Sequence, residues 1–235
     1  MKKIIFYPEN ELVKNIIPGP RKIEVPDWFK KMKPYEQIPG IDGNKFGISS
    51  YGPNLTVKSC IPFLDSLTSG YCFYTWSDIF VRQTPQGPII TSSNKREELI
   101  EIQQRPDPGL PALNGFDKFF LTWTSHWGIK TPKGYSCIFT QPFNRTDLPF
   151  ITTTGIMDTD KWGIWGNQPF ALQTGWEGII PAGTPTIQVF PFKRDSWEHE
   201  IDDSLTDWAT NEIIKRTSKF YGYYKNNFWQ KKSFK

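Results

Sequence analysis

Two aspartates stand two residues apart in TTGIMDTDKWGIW, residues 152–164, flanked by Gly155 and Gly163 within an otherwise apolar and aromatic stretch. A carboxylate at such a turn can act as a base on a water molecule. Asp158 and Asp160 together can also hold a divalent cation, because residues two apart in extended chain face the same side and carboxylates suit hard ions. The same pattern describes an ordinary hairpin whose polar tip stays in water. Ser125 and His126, with Asp117 upstream, have the makings of a nucleophilic triad, but adjacent side chains of a strand face opposite ways and cannot meet directly. Trp162, Trp165 and Trp176, with Phe170, suit a stacking platform for a sugar or a base, and equally suit core or interface packing. Cys60, Cys72 and Cys137 lack ligand spacing, and His126 and His199 lack a partner pattern. No metal and no cofactor is therefore expected.

The 235 residues suit one main domain with appendages. Ten Trp and eighteen Phe exclude a disordered chain, and twenty Pro with eighteen Gly favour turns and short strands over long helices. The net charge of +4 is mild but uneven, since no acid follows Glu212 while seven bases do. A solvated cationic helix end accounts for that tail, so nucleic-acid binding is not expected. The start, MKKIIFYPENE, has about five apolar residues before Pro8, too few for a signal peptide, and no run approaches the ~18 residues of a membrane span. The expectation is a protein that is not secreted, has no membrane partner, and is made in a reducing cytoplasm.

The elements that must hold these residues follow from pattern. KKIIFYPEN reads as a strand ended by Pro8, and prolines 18, 20, 26 and 34 then impose extended chain. Within that arm PDWFKKM suits one helical turn that begins at Pro26 or Asp27 and presents Trp28 and Phe29 together. Those two side chains either plug their own core or dock on a neighbouring subunit. Residues 38–54 read as loop. TVKSCIPFLDSLTSGYCFYTW reads as a strand, a short helix after Pro62, a stop at Gly70 and a second strand. DIFVRQTP and GPIITSSN form a hairpin that turns at Gln86 and Gly87. From Lys118 onward, alternation and turn chemistry predict short strands. After Arg194 the pattern is helical, with Leu205, Trp208, Ala209, Ile213, Phe220 and Tyr224 near one face and Asp202, Asp203 or Ser204 as cap. That helix is expected to run about 15 to 20 residues and to pack on the β domain. The organisation is a strand and arm over 1–54, a β-rich core domain over 55–200, and a helix with a basic tail over 201–235.

Residues from about 119 to 194 resemble the core of the deoxyuridine triphosphatase and deoxycytidine triphosphate deaminase superfamily, the β-clip, a distorted jelly roll. WGIKTPKGYSCIFTQP is similar to that family's strand leading to a Pro-x-Gly-Tyr turn. GIMDTDKWG resembles its aspartate turn, and IPAGTPTIQVFPF resembles the strand that follows. Each is a strand entering a glycine turn, where glycine admits positive φ. The resemblance implies an antiparallel β-clip-like barrel and places Asp158 where the family has its water-activating carboxylate. It departs at Lys161, which stands at the base-stacking tyrosine, at Ile164, which stands at the following glutamate, and near Gln141 and Pro142, where an Arg-Ser pair would hold phosphates. GYYKNNFWQKK stands in place of an arginine- and glycine-rich closing motif.

Over nearly the whole chain, TVKSCIPFLDSLTSGY, TPKGYSCIFTQPFNR, TGIMDTDKWG and IPAGTPTIQVFPFKR look like segments of an uncharacterised family of tailed phages and some bacteria. The two resemblances together imply a mainly β, non-enzymatic phage protein, a virion-associated structural or assembly module. Its partners are then other phage structural proteins or its own subunits, as a homotrimer. Its place is the virion or the infected host's cytoplasm. The alternatives are a divergent nucleotide hydrolase or deaminase that uses Asp158, and a carbohydrate-binding module that uses the tryptophans. Basic groups near Asp158 in space separate the first two, and none is evident in the sequence.

Overall fold

Short apolar alternations cut by glycine and proline leave little room for long helices, and the residues that the structure describes are 32% strand and 19% helix. A computed structural model describes residues 2–36, 54–107, 109–118, 121–164, 166–218 and 222–234. In chain order the strands are β1 (Ile5–Pro8), β2 (Arg21–Lys22), β3 (Tyr35–Glu36), β4 (Asn54–Leu55), β5 (Tyr71–Tyr74), β6 (Ile79–Thr84), β7 (Gly87–Ser92), β8 (Ile102–Gln104), β9 (Leu121–Thr124), β10 (Trp127–Lys130), β11 (Tyr135–Thr140), β12 (Phe150–Thr152), β13 (Gly155–Met157), β14 (Asn167–Leu172), β15 (Gly178–Ile180) and β16 (Pro185–Lys193). The helices are α1 (Glu11–Ile16), α2 (Asp27–Lys31), α3 (Ile61–Thr68), α4 (Thr206–Ser218) and α5 (Tyr223–Asn227). Two units divide the chain, one of residues 1–24, 67–194 and 234–235, the other of residues 25–66 and 195–233.

In the first unit every strand pairing is antiparallel: the sheets run β13-β11-β16-β5-β2, β12-β14-β9-β8 and β15-β6-β7, beside the pair β1-β10. Among the described residues no sheet closes on itself, so the expected closed barrel is replaced by several open sheets. Their inner faces share one core that includes Ile79, Val81, Leu121, Trp123, Phe150, Phe170, Ile187 and Val189. Trp123 stacks on Phe170 with ring centroids 3.9 Å apart, and its indole N–H donates to the Thr152 hydroxyl at 3.0 Å. The polar end of the largest core ring thus keeps a partner after burial.

Strand β1 ends at Pro8 as its sequence predicts. Helix α1 was not expected, although Asn10 caps it by accepting from the Val13 amide at 2.9 Å, and Val13 is fully buried with Ile17 and Leu99. The turn before β11 needs its glycine for backbone reasons: Gly134 has φ +85°, in the left-handed region.

In the second unit, α2 begins after Pro26 as expected, and Phe29 is 2% exposed. Its ring stacks on Phe63 at 5.9 Å, Trp28 meets both rings edge-on at 5.7 and 6.4 Å, and the Lys58 ammonium lies 4.6 Å over the Phe29 ring. Val57–Ser59 forms a 3-10 turn where a strand was expected. Of the expected 38–54 loop all but Asn54 lies outside the described residues.

Helix α4 has 13 residues, fewer than expected, and its large apolar residues are not buried: Trp208, Ile213 and Ile214 are all more than half exposed, as is Leu205 just before it. The cause is angular. At 100° per residue Trp208, Ile213 and Ile214 point in three directions, so no single stripe is wide enough to seat the helix on a core. Phe220, assigned to the same face, lies outside the described residues.

Candidate functional site

The aspartate turn leaves β13 and is fastened to the β10–β11 hairpin at its backbone. Lys161 and Trp162 both donate their amides to the Asp158 carbonyl, at 2.9 and 2.8 Å, which closes one helical turn. Thr159, fully buried, shares a 2.8 Å hydroxyl hydrogen bond with Thr131, and Ile129 donates its amide to the Gly163 carbonyl at 2.6 Å. Gly163 sits so close to this strand that a Cβ there would lie 1.7 Å from the Ile129 carbonyl oxygen. Its φ is not positive, nor is that of Gly155, so the expected left-handed turn glycines are absent from this loop. Gly163 is required by close approach.

Arg194, at the end of β16, completes the site. Its Nη1 and Nη2 donate to the two carboxylate oxygens of Asp160 at 2.8 and 2.5 Å, and Nη1 also donates to the Ser136 hydroxyl at 2.9 Å and the Tyr135 carbonyl at 3.1 Å. Asp160 further accepts the Gly134 amide at 2.8 Å, and its side chain is only 4% exposed. Asp158 accepts from the Ser136 hydroxyl at 2.6 Å, lies 3.2 Å from Arg194, and is about half exposed. Three separate stretches of chain are therefore tied at one point: the β10–β11 turn, the loop after β13 and the end of β16.

The Arg194 hydrogen bonds hold the Asp160 carboxyl well below the usual carboxylate range, with the Gly134 amide adding to the effect. The Ser136 hydroxyl is the main cause of a lowered Asp158, and Arg194 charge reinforces it. A carboxylate stabilised in this way is a weak proton acceptor. The expectation that no basic group lies near Asp158 is corrected, because Arg194 is there, Lys130 Nζ donates to the Asp160 carbonyl at 2.7 Å, and the charge of Lys161 acts on both aspartates. β16 brings Arg194 to this point through its pairing with β11, in which Lys193 stands opposite Tyr135.

The other expected positions are dispersed. Gln141 braces strand β12, accepting the Thr152 amide at 2.7 Å and donating to the Phe150 carbonyl at 3.3 Å. Ser125 donates to the Trp127 carbonyl, His126 lies between Glu9 Oε2 at 2.8 Å and the Ile100 carbonyl at 2.9 Å, and Asp117 joins neither. Trp162 is 62% exposed, Trp176 packs against the main core, and Phe170 is fully buried. Trp165 lies outside the described residues. Trp28 and Phe29 belong to the aromatic cluster around Phe63.

Two cavities, of about 370 and 290 Å³, line other parts of the first unit and include neither aspartate nor Arg194. The smaller one has Glu101 in its wall, a residue that the sequence did not single out. Glu101 is buried, accepts the Trp76 amide at 2.8 Å and the Ser77 hydroxyl at 2.5 Å, and burial pushes its carboxyl up to about 7. The available signal was alternation: Leu99 and Glu101 share the buried side while Ile100 is exposed. Among the described residues no group of three or more His, Cys, Asp or Glu side chains gathers to hold a metal ion, and no helix is long and apolar enough to cross a membrane.

No protein-family model matches the chain, and no curated protein matches it.

Proposed function

We propose that the protein is a non-enzymatic structural or assembly module, built on a β-clip-like core and, from the resemblance of its segments to a tailed-phage family, associated with the virion. The observation that carries this reading is the use made of Asp158 and Asp160. Both carboxylates accept hydrogen bonds from the β10–β11 turn or from β11, and Arg194 beside them bridges the two. A water-activating carboxylate needs a poised partner and phosphate ligands left available for substrate, because positioning and charge stabilisation supply most of the rate. Here those groups hold strand ends together. Lys161 offers no face for stacking a base.

Exposed aromatic and aliphatic side chains support an interaction role. Trp162, Trp197, Ile201, Leu205 and Trp208 are all more than half exposed, an arrangement that association with another surface would relieve. Partners are then other particle proteins or further copies of the chain.

One observation favours the rival reading, a divergent nucleotide hydrolase: Arg194 lies within reach of Asp158. The test is incubation with dUTP and dCTP plus magnesium, reading pyrophosphate and ammonia release, beside an Asp158→Asn variant. No turnover in either protein is the expected result. Turnover that vanishes in the variant would replace the structural reading with the enzymatic one. Mass spectrometry of purified particles tests the virion role, for which abundant copies are expected.

A further inference from the structure

The exposed stripe after β16 has a spacing of its own. Trp197, Ile201, Leu205 and Trp208 fall at intervals of four, four and three residues, which is one face of a helix. Yet α4 begins only at Thr206, and every residue from 195 to 211 is exposed, Trp197 by 89% and Ile201 by 98%. A stretch whose helical apolar face lies mostly ahead of the helix, only Trp208 falling within α4, has the design of a segment that completes its helix against a groove or surface. No proline interrupts it, and its acids lie before the helix start or, at Asp207, in its first turn, where the dipole favours them.

Charge identifies what it fits. Residues 195–214 hold seven of the chain's 24 acids and no Lys or Arg, so the rest carries 28 bases against 17 acids. Seven of those bases follow Glu212 with no acid among them, and a second group, six bases against two acids, gathers around the aspartate turn, where exposed apolar area accompanies it. Lys2 lies over the Tyr135 ring, Lys193 stands opposite Tyr135, Lys130 donates to the Asp160 carbonyl, and Lys133, Lys161 and Arg194 flank the same loop. Trp162, 62% exposed, and Ile164 supply apolar area in the middle of these cations. Asp160 and Asp158 only partly offset them.

We propose that the acidic apolar stripe 197–208 of one copy docks on the basic Trp162 face of a second copy, each chain giving its stripe to the other. The inference rests on the reading of the protein as an interaction module and names the partner. Both complementary surfaces are on every chain, so a reciprocal exchange satisfies both and closes as a dimer.

The test is the mass of the full chain by sedimentation equilibrium. A dimer at low salt that weakens at high salt is expected. Reversing the stripe with Glu198→Lys, Glu200→Lys, Asp202→Lys and Asp203→Lys, or the face with Lys2→Glu, Lys133→Glu and Lys161→Glu, should weaken self-association at least tenfold in each case. Mixing the two reversed proteins in equal amounts should restore the dimer mass, because each stripe then meets a face of opposite sign. Circular dichroism and melting verify that the variants fold, and Trp162→Ala provides a second test of the face without altering charge. A chain that is monomeric at low salt overturns the inference, as does a dimer indifferent to both reversals and to Trp162→Ala, or a mixture that stays monomeric. The nucleotide assay separates the two failures: turnover lost in Asp158→Asn ends the interaction-module reading, whereas a monomer without turnover ends only the docking inference.

Discussion

Asp160 and Arg194 form a two-pronged ion pair, one guanidinium nitrogen to each carboxylate oxygen, between a loop and the end of a strand that lie far apart in sequence. The geometry constrains both partners, since the Asp160 side chain is almost fully covered and its second oxygen also accepts the Gly134 amide. A single ammonium cannot reproduce this fork.

Arg194→Ala should therefore lower the melting temperature by at least about 5 °C, because it leaves a covered carboxylate without its cation. Arg194→Lys should recover little of the loss. Asp158→Asn should shift melting by no more than about 2 °C, since that side chain is half exposed and an amide oxygen can still accept from Ser136. Thermal melts of the three variants check the ranking, and equal effects of Asp158→Asn and Arg194→Ala would contradict it.

Gly155 and Gly163 look equivalent in the sequence and should differ sharply on substitution. Gly163→Ala drives a methyl into the Ile129 carbonyl, a backbone atom that cannot yield, and should cost about 3 kcal/mol or more. At Gly155 the nearest atom to a new Cβ is the Gln168 amide nitrogen at 3.8 Å, so Gly155→Ala should change stability by less than about 1 kcal/mol. Denaturant midpoints at unchanged slope are the measurement.

Much of this fold was legible because the strands write themselves as alternation closed by turn residues. Lys118 onward gave β9 to β11 with the turn at Gly134, and the Pro26 turn gave α2. What was not legible depended on distant chain. Nothing near Asp160 announces Arg194, whose arrival requires the register of β16 on β11. Gly163 suggested a positive φ because glycine usually serves that need, whereas the real constraint is the Ile129 carbonyl. Glu101 did not stand out because carboxylates usually lie at the surface, and the Trp76 amide and Ser77 hydroxyl that make its burial tolerable come from distant chain. Helix α4 read as packed because counting apolar residues on a loose face ignored how far apart they point.

Phe29 should behave as a core residue of its own chain. Phe29→Ala removes the ring that stacks on Phe63 and lies under Lys58, and should cost about 3 kcal/mol in the unit that contains it. Trp28→Ala, at a half-buried position, should cost less. Hydrogen exchange should accelerate over residues 27–31 and 61–66 in the first variant, with the molecular mass that of the wild type. A changed mass would instead make the α2 aromatics part of an interface.

Glu101 should give the protein a pH dependence opposite to that of an ordinary surface carboxylate. In the unfolded chain its carboxyl loses its proton near its usual value of 4.5, whereas in the folded protein burial keeps the proton on until about pH 7. Between those values the folded state binds the extra proton, so its contribution to stability is fully present below 4.5, falls as pH rises, and is lost above about 7. The shift corresponds to a penalty on the order of 3 kcal/mol for ionising the group in place, measured against the unfolded chain. Glu101→Gln keeps an oxygen for the Trp76 amide and an amide N–H for Ser77, and carries no charge at any pH. The variant should match the wild type at pH 5 and melt above it at pH 8, by roughly 5 to 10 °C if the penalty is of that size. Melting curves of both proteins from pH 4 to 8.5 decide the matter. Parallel curves across that range would mean that Glu101 ionises without cost, and that its amide and hydroxyl partners compensate fully for the water it has lost.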